Sequence, residues 1–171
     1  QAAGEQGGAE IGERGRAAQH GWITDADHWR WIGQQLAVDD ATLAQFRADF
    51  FRYDILDLAL IAYIDRLRAA GYHLGLLSNA SDDARRIFTE VYPVLPHFDS
   101  VTISAEEGVM KPDPRIFRVA LARAGVQPHE AVFVDDVAEN VEGARAVGMS
   151  GVHFRDSVTA ISELAALTGV G

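Results

Sequence analysis

Apolar residues in the second half of the chain alternate between short continuous runs and longer segments with helical spacing. The continuous runs predict β-strands at 72–77, 100–104, 131–134 and 151–154. The helical spacing predicts helices at 57–70, after Ser81, from Asp113-Pro114 to Gly125, at 139–147 and at 157–167. Strands that alternate with helices in this way are typical of an α/β fold, a Rossmann-like, doubly wound parallel sheet.

The first third of the chain has a different pattern. Residues 1–20 are rich in Gly, Ala and Glu without a sustained apolar period, and we predict a tail or linker there. Residues 21–56 predict a small α-helical cap of two helices, the first capped by Thr24 and the second by Asp40. Its three tryptophans and the Phe50-Phe51 pair are expected to pack rather than to recognise a ligand. Residues 57–171 would form the α/β core.

Composition narrows the classes of partner. The 171 residues are 48% hydrophobic and 23% charged, which is ordinary for a globular domain. A net charge of −10 opposes nucleic-acid binding. The lack of cysteine excludes disulfides and thiolate metal sites and is compatible with a cytoplasmic location. Without an apolar run of about 20 residues we expect no membrane partner. The oligomeric state stays open.

Three polar sites follow predicted strands, at the end where open α/β sheets bind ligands. They are Ser78-Asn79, Lys111 and the pair Asp135-Asp136. A hydroxyl near backbone amides, a lysine and paired carboxylates could hold a phosphoryl group beside Mg²⁺. In isolation, Ser78-Asn79 is compatible with a plain turn and Lys111 with a solvated loop. The paired acids favour function, because adjacent carboxylates cost stability unless a cation or donors compensate them.

Three stretches carry a resemblance to a known family. "LLSNAS", "EEGVMKPDPRIF" and "VFVDDVAENVEGARAVGM" resemble the second, third and fourth motifs of the haloacid dehalogenase-like (HAD) hydrolases, particularly of phosphatases with a small helical cap. The resemblance covers residues 21–154. It implies that Ser78 and Asn79 bind a phosphoryl oxygen and that Lys111 pairs with nucleophile and phosphate. Asp136 would ligate Mg²⁺ and Asp135 would lie beside it.

The same resemblance implies an activity. The double acid favours the Mg²⁺-dependent phosphatases over the metal-independent dehalogenases, and Asn140 stands where many relatives carry a second acid. The expected reaction is hydrolysis of a small phosphorylated metabolite, a phosphomonoester, through an aspartyl-phosphate. Relatives take the nucleophile from an apolar first strand that ends in Asp-x-Asp or a close variant.

That first motif has no counterpart ahead of the predicted cap. The only Asp-x-Asp string is Asp25-Ala26-Asp27, which we interpret as the first turn of the cap helix behind Thr24. We therefore expect this chain to be inactive by itself. The alternative is a non-catalytic relative that binds phosphate or acts as a scaffold. In relatives the missing first strand lies in the middle of the sheet. We therefore predict that another segment fills this central position, that the sheet pairs across it, or that the natural protein starts upstream.

Overall fold

The computed structural model describes residues 2–51 and 55–171. The amino-terminal part is helical and consists of Ala2–Gln19 (α1), Asp25–Leu36 (α2) and Asp40–Phe51 (α3). The Thr24 hydroxyl accepts a hydrogen bond from the Asp27 amide at 3.0 Å, so the predicted cap of α2 is confirmed. The cap of α3 is one residue earlier than predicted, because it is the Asp39 carboxylate that accepts from the Thr42 amide at 2.8 Å.

Most of the predicted tail or linker at residues 1–20 is helix α1, which the sequence did not indicate. Alanine, glutamate, glutamine and arginine have high helix propensity, so the segment does not need an apolar stripe along its whole length to be helical. It packs against α2, and Ala18 near its end is buried. The buried Ser104 hydroxyl donates to the Gln19 carbonyl at 2.6 Å and satisfies an acceptor of the last turn. The proposed division at residues 20 and 56 stays a prediction.

The aromatic residues of the cap divide between packing and exposure. Trp29 is buried and makes edge-to-face contacts with Phe46 and Phe50, with ring centroids 6.2 and 5.9 Å apart. Trp22 instead is 72% exposed and stacks on His20, which is not the packing we expected. The side chain of Phe51 lies outside the described residues. The cap therefore leaves part of its aromatic surface accessible.

The rest of the chain alternates helices with strands, as the apolar pattern predicted. The elements are Leu58–Ala69 (α4), Gly75–Ser78 (β1), Ala84–Arg86 (α5) extended by a π-helical turn at Ile87–Val91, Ser100–Ile103 (β2), Ser104–Glu107 (α6), Pro114–Ala124 (α7), Val132–Asp135 (β3), Ala138–Ala146 (α8), Ser150–His153 (β4) and Ser157–Thr168 (α9). Short 3₁₀ turns lie at Leu95–His97 and Pro128–Glu130. No helix within the described ranges is long and apolar enough to cross a membrane.

Strand β1 is shorter than predicted for a specific reason. Its partner strand β2 begins only at Ser100. Leu74, just before β1, therefore bonds to Asp99, outside the regular strand pairing. The Leu74 amide donates to the Asp99 carboxylate at 2.9 Å, and the Leu74 carbonyl accepts from the Asp99 amide at 2.7 Å. Regular pairing therefore starts at Gly75 opposite Ser100.

The strands form two parallel pairs, β1 with β2 and β3 with β4. The prediction that the sheet pairs across the centre is wrong, since β1 and β3 do not hydrogen bond to each other. Within residues 2–51 and 55–171 no further strand pairs with either of them, so the idea that another segment fills the place is not supported there. The third possibility, an upstream start, stays a prediction.

Two apolar clusters hold the pairs in place. In the first, Phe117 of α7 and Phe133 of β3 pack edge to face with centroids 5.3 Å apart, and Leu77 of β1 joins them. In the second, Tyr63 and Leu67 of α4 pack with Val152 of β4 and Leu164 of α9. Because Leu77 and Phe133 share one cluster, the carboxyl ends of β1 and β3 meet over α7. This meeting point positions the candidate site.

Candidate functional site

Asn79, the residue after β1, connects the loop after β1 with the Lys111 loop. Both loops were predicted to form part of a phosphate site. Its side-chain nitrogen donates to the Lys111 carbonyl at 3.0 Å, and its side-chain oxygen accepts from the Lys111 amide at 2.8 Å. These opposed bonds fix the Lys111 loop against the end of β1. Ser78 is the last residue of β1 and is half-buried. Its hydroxyl donates to no other described residue, so it is available to a ligand.

Lys111 connects the two strand pairs. Its Nζ donates to the Asp135 carboxylate at 2.6 Å and to the Leu77 carbonyl at 3.1 Å, and it lies 5.4 Å from the centre of the Phe133 ring. The side chains of Lys111 and Asp135 are only 8% and 6% exposed. An ammonium ion held in this way is a fixed positive charge between the ends of β1 and β3.

Asp135 is buried but kept charged by its donors. Besides Lys111, its carboxylate accepts from the side-chain nitrogen of Asn140 at 3.0 Å and from the Val137 backbone amide at 2.9 Å. Burial by itself raises the pKa of Asp135, but the hydrogen bonds from Lys111, Asn140 and Val137 outweigh it and hold the pKa below its ordinary value. The Asp135 carboxylate is therefore committed to the protein and has little capacity left for a ligand.

Asp136 has the opposite character. It is exposed, and its carboxylate forms no hydrogen bond with any described residue, while its carbonyl accepts from Nε2 of His153 at 3.0 Å. Throughout the described ranges, no three side chains of His, Cys, Asp or Glu are grouped closely enough to hold a metal ion. A single free carboxylate suits Mg²⁺, which keeps several waters and takes further oxygens from a substrate phosphate.

Asp25 and Asp27 occupy the first turn of α2, which confirms the interpretation of the only Asp-x-Asp string. Asp25 is buried, accepts from the Ser81 hydroxyl at 3.0 Å and forms an ion pair with Arg47. Asp27 bonds to Thr24 and Arg30. Both carboxylates are engaged in the cap, so neither is placed as a free nucleophile.

Sequence reasoning missed Arg47 and assigned Asn140 only by analogy. Arg47 of α3 pairs with Asp25 and also with Asp83 at 2.5 Å, and so ties the cap to the segment after β1. Asn140 is buried and orients Asp135 rather than facing a ligand. An arginine at a helical position gives no sequence signal for such a contact, whereas the buried asparagine five residues after Asp135 lies within the fourth motif.

The site therefore brings Asn79, Lys111 and Asp135 into direct contact, with Ser78 and Asp136 next to them in the chain. The arrangement offers a fixed ammonium–carboxylate pair, one free hydroxyl and one free carboxylate at the ends of β1 and β3. Such a set can bind the oxygens of an anion together with a divalent cation. The roles of these residues toward a substrate remain predictions.

Comparisons with known proteins agree with this picture. The sequence model of one protein family, the haloacid dehalogenase-like hydrolases, matches residues 3–148. The chain is 41% identical over 92 residues to a phosphoserine phosphatase of Thermus thermophilus, covering 53% of this chain and 37% of that protein. It is 28% identical over 151 residues to the sesquiterpene phosphatase astK of Aspergillus oryzae, covering 88% and 77%.

Other relatives are much longer, and the solved structures support the fold. The chain spans 14% of the bifunctional epoxide hydrolase 2 of Sus scrofa, with 41% identity over 75 residues. The HAD family enzyme bt-2542 of Bacteroides thetaiotaomicron, solved with magnesium and inorganic phosphate, superposes with a TM-score of 0.71 at 25% identity. The match covers 81% of this chain and 73% of that one.

Proposed function

Because this chain belongs to the haloacid dehalogenase-like hydrolases, we propose that its site serves the Mg²⁺-dependent hydrolysis of a small phosphomonoester. The observation that carries the proposal is the buried Lys111–Asp135 pair with the free Asp136 carboxylate beside it. A phosphatase needs a fixed cation for phosphoryl oxygens and a separate ligand for its metal. Two relatives named as phosphatases and a neighbour solved with magnesium and phosphate add support.

Each residue has a distinct task in this proposal. The Lys111 ammonium, already held by Asp135, would attract a phosphoryl oxygen, and the Ser78 hydroxyl would donate to another. Asn79 fixes the Lys111 loop through its two backbone bonds, so that the positive charge stays in place when the ligand enters.

Asp136 would hold the Mg²⁺ ion. When bound, the ion would neutralise charge on the phosphoryl oxygens, and the rest of its coordination would come from waters and the phosphate. Asp135 would not be a ligand in this arrangement, because its carboxylate already accepts from three donors. Of the two neighbouring acids, Asp135 would therefore pair with Lys111 and Asp136 would bind the ion.

The nucleophile is the part that the described residues do not supply. An aspartyl-phosphate requires a carboxylate free to attack, whereas Asp135 is held by three donors and Asp25 by Ser81 and Arg47. We propose that a strand ending in aspartate, placed between β1 and β3, provides it. Without that strand the chain would bind phosphate but not turn over. The engagement of Asp25 in the cap is also what favours the alternative, a non-catalytic phosphate-binding or scaffold protein.

The metal assignment can be tested by calorimetric titration of inorganic phosphate with and without MgCl₂. We expect Mg²⁺ to strengthen phosphate binding, and we expect Asp136→Asn to remove that dependence without loss of stability, because the side chain is exposed and has no protein partner. Glu139→Gln, an exposed acid at the start of α8, is the matched control and should retain it. Full Mg²⁺ dependence in Asp136→Asn would contradict the assignment.

The nucleophile can be tested by complementation. An apolar synthetic peptide that ends in Asp-x-Asp is added to the chain, with p-nitrophenyl phosphate and MgCl₂ as the assay. We expect turnover with this peptide and none with a matched peptide whose first aspartate is asparagine. Turnover by the chain alone would overturn the expectation of inactivity. A peptide that binds without turnover, while phosphate still binds, would favour the non-catalytic alternative.

A further inference from the structure

A cleft of about 680 Å³ separates the helical cap from the segment that follows β1. Helices α1, α2 and α3 contribute to one side, and residues 79–94 contribute to the other. Its lining is dominated by aliphatic and aromatic side chains. The aromatic ones are Trp29, Trp31, Phe46, Phe50, Phe88 and Tyr92. The volume is in the range of pockets that enclose a drug-sized molecule.

The cleft and the candidate phosphate site share one residue, Asn79. This residue lines the cleft together with Ala80 and Ser81, and it also holds Lys111 by two hydrogen bonds. A molecule that occupied the cleft would therefore have one end at the loop after β1. Leu36, the last residue of α2, also lines the cleft and is 51% exposed.

The charges around the cleft argue against a second anionic or sugar-like group. No lysine or arginine of the described residues lines it. The Asp25 carboxylate in its wall is already bound by Ser81 and Arg47. Burial lowers the pKa of His28, which disfavours a positive charge on this wall residue. Polar partners in the wall are few, the unpartnered Nδ1 of His28 among them, so most of a polar ligand would lose its hydration against apolar side chains.

We propose that the phosphomonoester of this site carries an extended apolar group that lies in this cleft, with its phosphate at the Asn79 end. The inference rests on the proposed function and deepens it, since it names the substrate class. The apolar walls supply affinity, and Lys111 with Ser78 supplies orientation. Polar phosphomonoesters of similar size would bind only through their phosphate.

A series of alkyl phosphates of increasing chain length measures how much the apolar walls contribute to the binding free energy. Monobutyl, monohexyl and monooctyl phosphate are titrated in MgCl₂, below their aggregation limits, with Trp29 and Trp31 as the fluorescent reporters in the cleft. Each buried methylene is expected to tighten binding about fourfold, so octyl phosphate would bind up to roughly two hundredfold more tightly than butyl phosphate. Inorganic phosphate and glycerol phosphate serve as polar references.

Two leucine variants separate the cleft from general surface effects. Leu36→Gln places a polar group in the wall at a half-exposed helical position, so the fold should tolerate it. We expect it to weaken octyl phosphate about fivefold and to leave inorganic phosphate unchanged. Leu58→Gln, on α4 and 74% exposed outside the cleft, is the matched control and should change neither.

The outcomes distinguish this inference from the proposal beneath it. Equal affinities along the alkyl series, with inorganic phosphate still bound, would overturn the apolar substrate class and leave the phosphatase proposal intact. Octanol binding as tightly as octyl phosphate would also overturn it, because the cleft would then act independently of the phosphate. Failure of every phosphate to bind, inorganic phosphate included, would overturn the proposed function and this inference together.

Discussion

Replacement of Lys111 by methionine isolates the pair at the centre of the site. The variant keeps an apolar stem of similar length but removes the only cation within reach of the buried Asp135 carboxylate in the described part of the chain. Asp135 would retain its bonds from Asn140 and Val137. Removing one partner of a buried ion pair typically costs about 3–5 kcal/mol, because the other charge stays buried without its counter-ion. We expect a loss of that size near pH 7.

The same variant should weaken the pH dependence that Asp135 contributes to stability. In the wild type its folded pKa lies below the unfolded value of 3.8, so its stabilisation is present above that value and is lost as pH falls through the folded pKa. Without Lys111, burial is opposed only by the hydrogen bonds from Asn140 and Val137, so the folded pKa of Asp135 should rise above its wild-type value and the carboxylate should contribute less stability. The difference between wild type and variant should therefore grow as pH rises from the folded pKa of the wild type, below 3.8, to the higher folded pKa of the variant.

Urea unfolding followed by tryptophan fluorescence at several pH values measures both effects. The double variant Lys111→Met with Asp135→Asn is the control, since it removes both charges and should recover much of the loss. A free energy of unfolding within about 1 kcal/mol of wild type for the single variant near neutral pH would refute the reasoning. So would a difference that does not change with pH.

Four further substitutions test the helical part of the chain and the surroundings of the site. Gly143→Ala places a Cβ 2.8 Å from the Pro112 carbonyl and should cost about 1–3 kcal/mol in urea unfolding. Gly15→Ala, with nothing within 4 Å, should instead stabilise α1 by up to about 1 kcal/mol, and a loss there would contradict the helix. Asn79→Ala removes two hydrogen bonds and should lower stability by about 1–3 kcal/mol and also weaken phosphate binding in calorimetry. Arg47→Met should cost about 2 kcal/mol in thermal unfolding, since it leaves two part-buried carboxylates without their shared cation, and an unchanged midpoint would contradict this.

Local signals in the sequence predicted the helix boundaries well. The Asp113 carboxylate accepts from the Arg115 amide at 2.9 Å ahead of Pro114, and Gly125 ends α7 with a φ of 70°, so both ends of this helix follow from residue type. Thr24 likewise predicted where α2 begins. These features depend on a few neighbouring residues, which the sequence displays directly.

Features that depend on distant contacts were harder to predict. Helix α1 has little apolar periodicity, and its end is fixed by Ser104, 85 positions further along the chain. The resemblance identified Lys111 and Asp135 as site residues, but only the fold shows that they bind each other and leave Asp136 free. The split of the sheet into two pairs depends on which strand lies between them, and a pattern within single strands does not contain that information.

The inner edges of β1 and β3 also bear on how the chain behaves in concentrated solution. Each strand pairs on one side only among the described residues, and Leu76 and Val134 remain half-buried on them. Unpaired strand edges with apolar side chains are templates for addition of strands from other molecules. We therefore expect self-association that rises with protein concentration, and an added strand that occupies this place should suppress it.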